Sequence, residues 1–299
     1  MAKFDIDSFN KEILAMMDKN GTDWSKTWFD VAGEIMMNAE NGHVYQGMNI
    51  WILMLTSMTE GYTSPKWATF ATWKRMGYSV KKGEHGTTVF FWNYFEKEDG
   101  KTGAYMKSFV EFNSNQVWTM EDHQPYVDPD ADKPKPYMTI GSDLVEQIIQ
   151  KLGVKAVYGG NRAFHYHGEI HIPHLEQFNE DVVKFDATRL HEIGHWVRHK
   201  IDDFETAPKR SVAYAEEELS VELSAAALGK ILGIEQTPLA EHAQYLNNWM
   251  EGVRGDKQYF VKASKKAWQI IKYVCDGADI DVDFGGEKES LQVGETVVE

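Results

Sequence analysis

Phe9, Ile13, Met16 and Met17 recur at three- and four-residue intervals, which predicts a helix over 8–20. The apolar stretch Gly47 to Thr59 predicts a second helix. Pro65 to Met76 predicts a third, with Trp67, Phe70 and Trp73 in step and Gly77 at its end. Val80 to Phe95 and Ala104 to Phe112 read as strands on either side of a turn-rich tip, Glu96-Lys-Glu-Asp-Gly-Lys101. Farther along, 142–152 reads as a helix ended by Gly153. Phe164 to Ile172 then alternates as one strand, with His165, His167, Glu169 and His171 on one face and Phe164, Tyr166, Ile170 and Ile172 on the other, closed by Pro173. Helices are expected over 182–200 and 212–232, the latter stopped by Gly233, and a further helical stretch over 239–274. The pattern is α+β, with a mixed helix and antiparallel-sheet domain first. Trp51 and Leu53 are expected to form its core with Trp24 or Trp28, and the helices 182–200 and 212–232 to pack on the Phe164 strand in the second.

Composition divides this pattern into domains. At 299 residues, 42% hydrophobic and 26% charged, the chain is long enough for about two globular domains. Four of its eight prolines (Pro125, Pro129, Pro134, Pro136) lie among Asp and Lys, which marks a stiff linker. The expected division is a domain over 1–122, a Pro-rich linker over 123–141, a second domain over 142–275 and an acidic, flexible tail over 276–299. Cys275 is the only cysteine, so disulfides and thiolate zinc sites are excluded. The start of the chain has no apolar signal region, and the run Ile50 to Met58 is about half a membrane span, so a cytoplasmic protein with no membrane partner is expected.

The net charge of −15 is unevenly spread. Residues 276–299 hold eight acids against Lys288 alone, whereas residues 61–95 hold five basic residues against Glu84. The acidity is terminal and the basicity local, so the overall charge does not exclude a nucleic-acid surface. Seven of the ten tryptophans lie in the first 118 residues and seven of the eleven histidines lie between 165 and 199, which points to different chemistry in the two halves.

His191-Glu-Ile-Gly-His195 places two imidazoles four residues apart on one helix face, where both reach a single ion with Glu192 beside its open position. His199 lies eight residues from His191, about 12 Å along a helix, too far for all three rings to converge. The third ligand is therefore sought in Tyr214-Ala-Glu-Glu-Glu-Leu-Ser-Val-Glu222. Leu219, Leu223 and Ala226 mark its core face, which assigns Glu218 as ligand and Glu222 as the acceptor that orients His191 through its other ring nitrogen. Glu216 and Glu217 point farther outward, with Glu217 the next candidate. One zinc ion, or another divalent metal, is the expected cofactor. Glu192 is then the general base for attack of water on a carbonyl, with the Phe164 strand as the edge on which an extended peptide docks.

A second constellation interleaves aromatic and basic residues: Lys66, Trp67, Trp73, Lys74, Arg75, Tyr78, Lys81, Lys82 and Trp92. Stacking faces among cations are what single-stranded nucleic acid requires, although aromatics at helical spacing also describe a core.

Together the two constellations resemble the ArdC antirestriction family. The resemblance rests on Asn38-Ala-Glu-Asn-Gly-His-Val-Tyr-Gln-Gly-Met-Asn49, Trp67-Ala-Thr-Phe70, Gly77 to Thr87, Phe112-Asn-Ser-Asn-Gln116, Ile170-His-Ile-Pro173, Thr188 to Trp196 and Tyr214 to Leu223. It implies an N-terminal domain that binds single-stranded DNA and a C-terminal zincin-like metallopeptidase domain, in a protein that protects incoming mobile-element DNA from host restriction. The histidine-rich strand and the acidic tail depart from the family. Other classes are a DNA-binding module with a structural zinc, a regulatory metallopeptidase that cleaves a repressor or a DNA-bound protein, and an acidic DNA mimic.

Overall fold

The computed structural model describes residues 6–20, 35–96, 102–129, 144–202, 211–234 and 246–284. The chain is α+β and separates into two compact units. One comprises Met1–Asp5, Met36–Ala131 and Asp283–Glu299; the other comprises Ile6–Ile35 and Asp132–Val282. The expected boundary is displaced at the start of the chain. Helix α1 (Ile6–Asn20) packs within the second unit, with Phe9 edge-on to Phe260 at 5.6 Å and the Asn10 amide donating to the Lys257 carbonyl at 3.0 Å.

In the first unit, strand β1 (Met37–Asn38) and helix α2 (Met48–Glu60) precede a sheet. Ile50 to Leu55 of α2 are all buried, because a helix apolar on every face must be enclosed. Gly61 ends it at φ 72°, a left-handed C-cap. Asn49 fastens it to the next sheet through paired hydrogen bonds to the Phe90 backbone, at 2.7 and 2.8 Å. Trp51 and Leu53 are buried as expected, while Trp24 and Trp28 lie outside the described residues.

The helix expected over 65–76 is instead strand β2 (Lys66–Thr69) followed by the short helix α3 (Phe70–Arg75). Tertiary pairing overrides the helical spacing: β2 lies parallel to β1 on one side and antiparallel to Asn113–Glu111 on the other. Thr69 ends the strand and caps the helix, its hydroxyl accepting from the Thr72 N–H at 3.1 Å. Strand β3 (Tyr78–Val80) leaves the helix, then β4 (Thr87–Glu96) and β5 (Thr102–Asn113) form the expected antiparallel pair. The sheet order is β1-β2-β5-β4, and β6 (Val117–Thr119) pairs with β3. Of the expected flexible tail, Asp283 is held, its carbonyl accepting from the Val44 N–H at 2.8 Å and its carboxylate 3.0 Å from the His43 ring.

Glu111 of β5 is only 3% exposed, between Thr69 and Thr87 of its neighbours. Burial pushes its carboxyl up from 4.5 to about 7, against a hydrogen bond with Tyr45. A carboxyl raised in the folded state contributes stability that is complete below its unfolded pKa and lost as pH rises through about 7. Glu111→Gln is therefore expected to be nearly neutral at pH 5 and to stabilise the first unit by up to about 3 kcal/mol at pH 8, measured by urea melts at both pH values.

In the second unit, helix α4 (Leu144–Leu152) leads into a three-stranded sheet ordered β7-β9-β8, from β7 (Lys155–Tyr158), β8 (Phe164–Tyr166) and β9 (Glu169–Ile172). The single strand expected over 164–172 is thus a hairpin. His167 and Gly168 both take positive φ, 48° and 80°, the two-residue reversal that matches strand twist. Helix α5 (Val182–Ile201) packs on this sheet and α6 (Val212–Leu232) packs on α5. The last expected helix is divided into α7 (Leu246–Gly255) and α8 (Tyr259–Gly277). A turn at Asp256 separates them, its side chain accepting from the Gln258 N–H at 2.8 Å. No helix among the described residues is long and apolar enough to cross a membrane.

Candidate metal centre

Helix α5 begins at Asp181, whose carboxylate accepts from the Lys184 N–H at 3.1 Å, and α6 begins at Ser211, whose hydroxyl accepts from the Tyr214 N–H at 3.1 Å. Their contacts run in opposite senses, His199 and His195 meeting Glu217 while His191 meets Glu222 one turn later on α6. The helices therefore cross antiparallel. Gly194 lets them approach: a Cβ there would lie 2.9 Å from a Val221 methyl.

This crossing brings His191, His195 and Glu218 together, with one ligand atom of each within 4.8 Å of the others. The two Nε2 atoms are 3.2 Å apart, and the Glu218 oxygens lie 3.6 Å from His191 Nε2 and 3.7 Å from His195 Nε2. Ligands about 2.1 Å from a tetrahedral ion are separated by about 3.4 Å; the two imidazole nitrogens match that spacing, and the Glu218 carboxylate turns Oε2 toward His191 and Oε1 toward His195. All three residues are at least nine-tenths buried. Burial disfavours protonation of both rings, yet the adjoining carboxylates outweigh it: Glu218 and Glu222 hold His191 up at about 9, and His195 is raised well above its ordinary range by Glu218 and Glu217. Desolvation would raise the Glu218 carboxyl, but the two imidazoles hold it far below the ordinary range. The carboxylates thus create a strong demand for positive charge, which protons or a cation can satisfy.

Glu192 is buried beside this group, 6% exposed. Glu222 reaches His191 Nδ1 at 3.6 Å, on the side assigned to it from sequence. Glu217 departs from expectation. It does not point outward but is 2% exposed, its Oε1 2.8 Å from His195 Nδ1 and 3.2 Å from His199 Nε2. His165 of β8 lies against His199, ring centroids 4.7 Å apart.

Among the described residues, the aromatic and basic side chains singled out in the first unit divide between core and surface. Trp67 and Trp73 are fully buried, their indole N–H groups directed to the Met36 sulfur at 3.3 Å and the Phe112 carbonyl at 2.9 Å. They cannot act as stacking platforms in this structure. Tyr78 packs edge-on with Trp73 and Tyr126. Lys66 is buried, 3.4 Å from Asp128. Arg75 clasps Glu40 through two hydrogen bonds of 2.7 and 2.6 Å, and Lys81 donates to the Asn115 carbonyl at 2.7 Å. Lys74 and Lys82 are exposed, and the Trp92 side chain lies outside the described residues. Among the described residues of this region Phe70 is an exposed aromatic, at 54%.

Comparison with known proteins matches the N-terminal domain of anti-restriction factor ArdC over residues 6–125 and a zincin-like metallopeptidase domain over residues 143–266. The Mn(II)-bound crystal structure of antirestriction protein ArdC from plasmid R388 superposes with a TM-score of 0.72 at 26% identity, covering 92% of this chain and 98% of that one. Its metal-free form gives 0.68 at 25% identity, covering 89% and 97%. An uncharacterized protein, y4eC, of Sinorhizobium fredii is 27% identical over 88% of this chain and 89% of its own length. A DNA primase TraC of Escherichia coli is 29% identical over 88% of this chain, which spans only 26% of the primase.

Proposed function

We propose, from the premise that this chain belongs to the ArdC-like antirestriction family, that it binds single-stranded DNA through its first unit and holds one zinc ion for peptide hydrolysis in its second. The observation that carries the metal assignment is the convergence of His191, His195 and Glu218, one ligand atom of each within 4.8 Å of the others and the two Nε2 atoms 3.2 Å apart. These three residues would hold the metal. A divalent cation bound there supplies Lewis acidity that makes a water molecule a nucleophile near neutral pH. The Glu192 carboxylate takes the proton from the attacking water and returns it to the leaving amine. Glu222 and Glu217 hold the imidazoles from behind. Strand β8 pairs with β9 and forms one edge of its sheet, with Phe164 and Tyr166 45% and 61% exposed, an edge on which an extended peptide can align.

Support for DNA binding comes from the match to the ArdC N-terminal domain, with exposed Lys74, Lys82 and Phe70 as the contact residues. Protection of incoming DNA from restriction would then draw on both units. Labelled oligonucleotides titrated into the full chain at two salt concentrations test the first part. Tighter, salt-weakened binding of single strands is expected, and equal affinity for duplex would refute the specificity.

Glu192→Gln tests the second part. The variant is expected to keep its zinc, measured by elemental analysis, and to lose about 100-fold or more of the hydrolysis of an unfolded protein substrate. Full activity in a zinc-loaded Glu192→Gln protein would exclude Glu192 as the base.

A further inference from the structure

We propose that Glu217 is the positioning residue for His195, fixing its ring and tautomer, and is itself anchored by His199. The inference rests on the reading of His191, His195 and Glu218 as the metal-holding group.

An ionised carboxylate only accepts hydrogen bonds, so each imidazole nitrogen facing it must carry a proton. With Glu217 Oε1 2.8 Å from Nδ1, His195 keeps its proton on Nδ1, which leaves Nε2, on the side of His191 and Glu218, as the nitrogen that would give its lone pair to a metal. The same oxygen accepts from His199 Nε2 at 3.2 Å. His199 stands one helical turn beyond His195, so both rings lie on the face of α5 that meets Glu217. Two donors on one buried oxygen hold the carboxylate where a single swinging contact would not, and the His165 ring lies against that of His199, centroids 4.7 Å apart.

The arrangement reverses the expected emphasis. The carboxylate assigned from sequence as an orienting group, Glu222, stands 3.6 Å from His191, whereas Glu217 is within full hydrogen-bond distance of His195. One turn of α6 thus supplies the ligand, from Glu218, and the tighter anchor, from Glu217.

The test uses the full chain labelled with 15N-histidine, as wild type, Glu217→Gln and Glu217→Ala, with fold checked by circular dichroism. Zinc affinity, measured by chelator competition, is expected to fall about 10- to 100-fold in both variants. The His195 Nδ1–H resonance, downfield and slowly exchanging in the wild type, should move upfield or vanish in both, with or without zinc. A folded variant that binds zinc within about twofold of wild type and keeps that resonance overturns the proposal. Should Glu217→Ala fail to fold, the isosteric Glu217→Gln decides. Should the wild type bind no zinc, the metal reading fails, and the resonance in metal-free protein still decides whether Glu217 anchors His195.

Discussion

Glu218→Ala is expected to weaken zinc or manganese binding by about 10²- to 10⁴-fold, the equivalent of losing one partner of a buried ionic contact worth about 3–5 kcal/mol. Glu218 is the one carboxylate in the converging group and faces both imidazoles, so nothing else among the three supplies the negative charge. Glu222→Ala, which removes a carboxylate that meets His191 at Nδ1 and not at the converging Nε2, should cost less, about 10- to 100-fold. Isothermal calorimetry on both variants provides the ranking, and equal losses would remove Glu218 from the ligand set.

Metal-free protein gives the same substitution a pH signature. His191 is held up at about 9, largely against desolvation, by Glu218 and Glu222. A raised histidine contributes stability that is complete below its unfolded pKa, ordinarily 6.5, and lost as pH rises through about 9. Removing Glu218 removes much of that contribution. With a chelator present, Glu218→Ala should therefore destabilise the second unit more at pH 6 than at pH 10. Denaturant melts at both pH values check the sign.

The parts of this centre differ in how visible they are in the chain. His191, Glu192 and His195 are legible because a helix converts a four-residue spacing directly into a shared face. The bounds of α5 and α6 are legible because Asp181, Ser211 and Gly233 are caps whose chemistry is local. Glu217 is harder. In a run of three glutamates, which one enters the crossing depends on the rotation of α6 against α5, and that rotation is set by the close approach at Gly194. The available signal is the extra histidine, His199, one turn past the motif, which needs a partner once buried.

Elsewhere local pattern loses to non-local pairing. Lys66–Thr69 is a strand because two neighbouring strands accept its backbone, and neither can be inferred from the spacing of Trp67, Phe70 and Trp73. The hairpin at His167-Gly168 is hidden by an apolar-polar alternation that runs unbroken through the turn, yet the reversal swaps the faces: Phe164 shares a face with His171 and His165 with Ile170, contrary to the expected grouping. Aromatic periodicity also cannot distinguish a core from a stacking surface. That difference is a matter of which side of the element faces water, which depends on the elements packed over it.

Trp73→Ala separates those two roles. The indole is fully buried, edge-on to Tyr78 and Tyr126 at 5.6 and 5.2 Å, and its N–H satisfies the Phe112 carbonyl. Truncation should cost the first unit about 3–5 kcal/mol through the cavity. It also leaves a buried acceptor unpaired, at about 1–3 kcal/mol. For a unit of roughly a hundred residues this lowers Tm by more than about 10 °C. A stacking platform would behave in the opposite way, with Tm unchanged and about 1–3 kcal/mol of single-strand affinity lost. The exposed Phe70 is the residue expected to show that second pattern in Phe70→Ala. Calorimetric melting and oligonucleotide binding on the two variants should therefore give opposite results. If Trp73→Ala kept its Tm and lost DNA binding, the indole would have to be accessible, and the packing of Trp73 against Tyr78 and Tyr126 could not be the state that binds DNA.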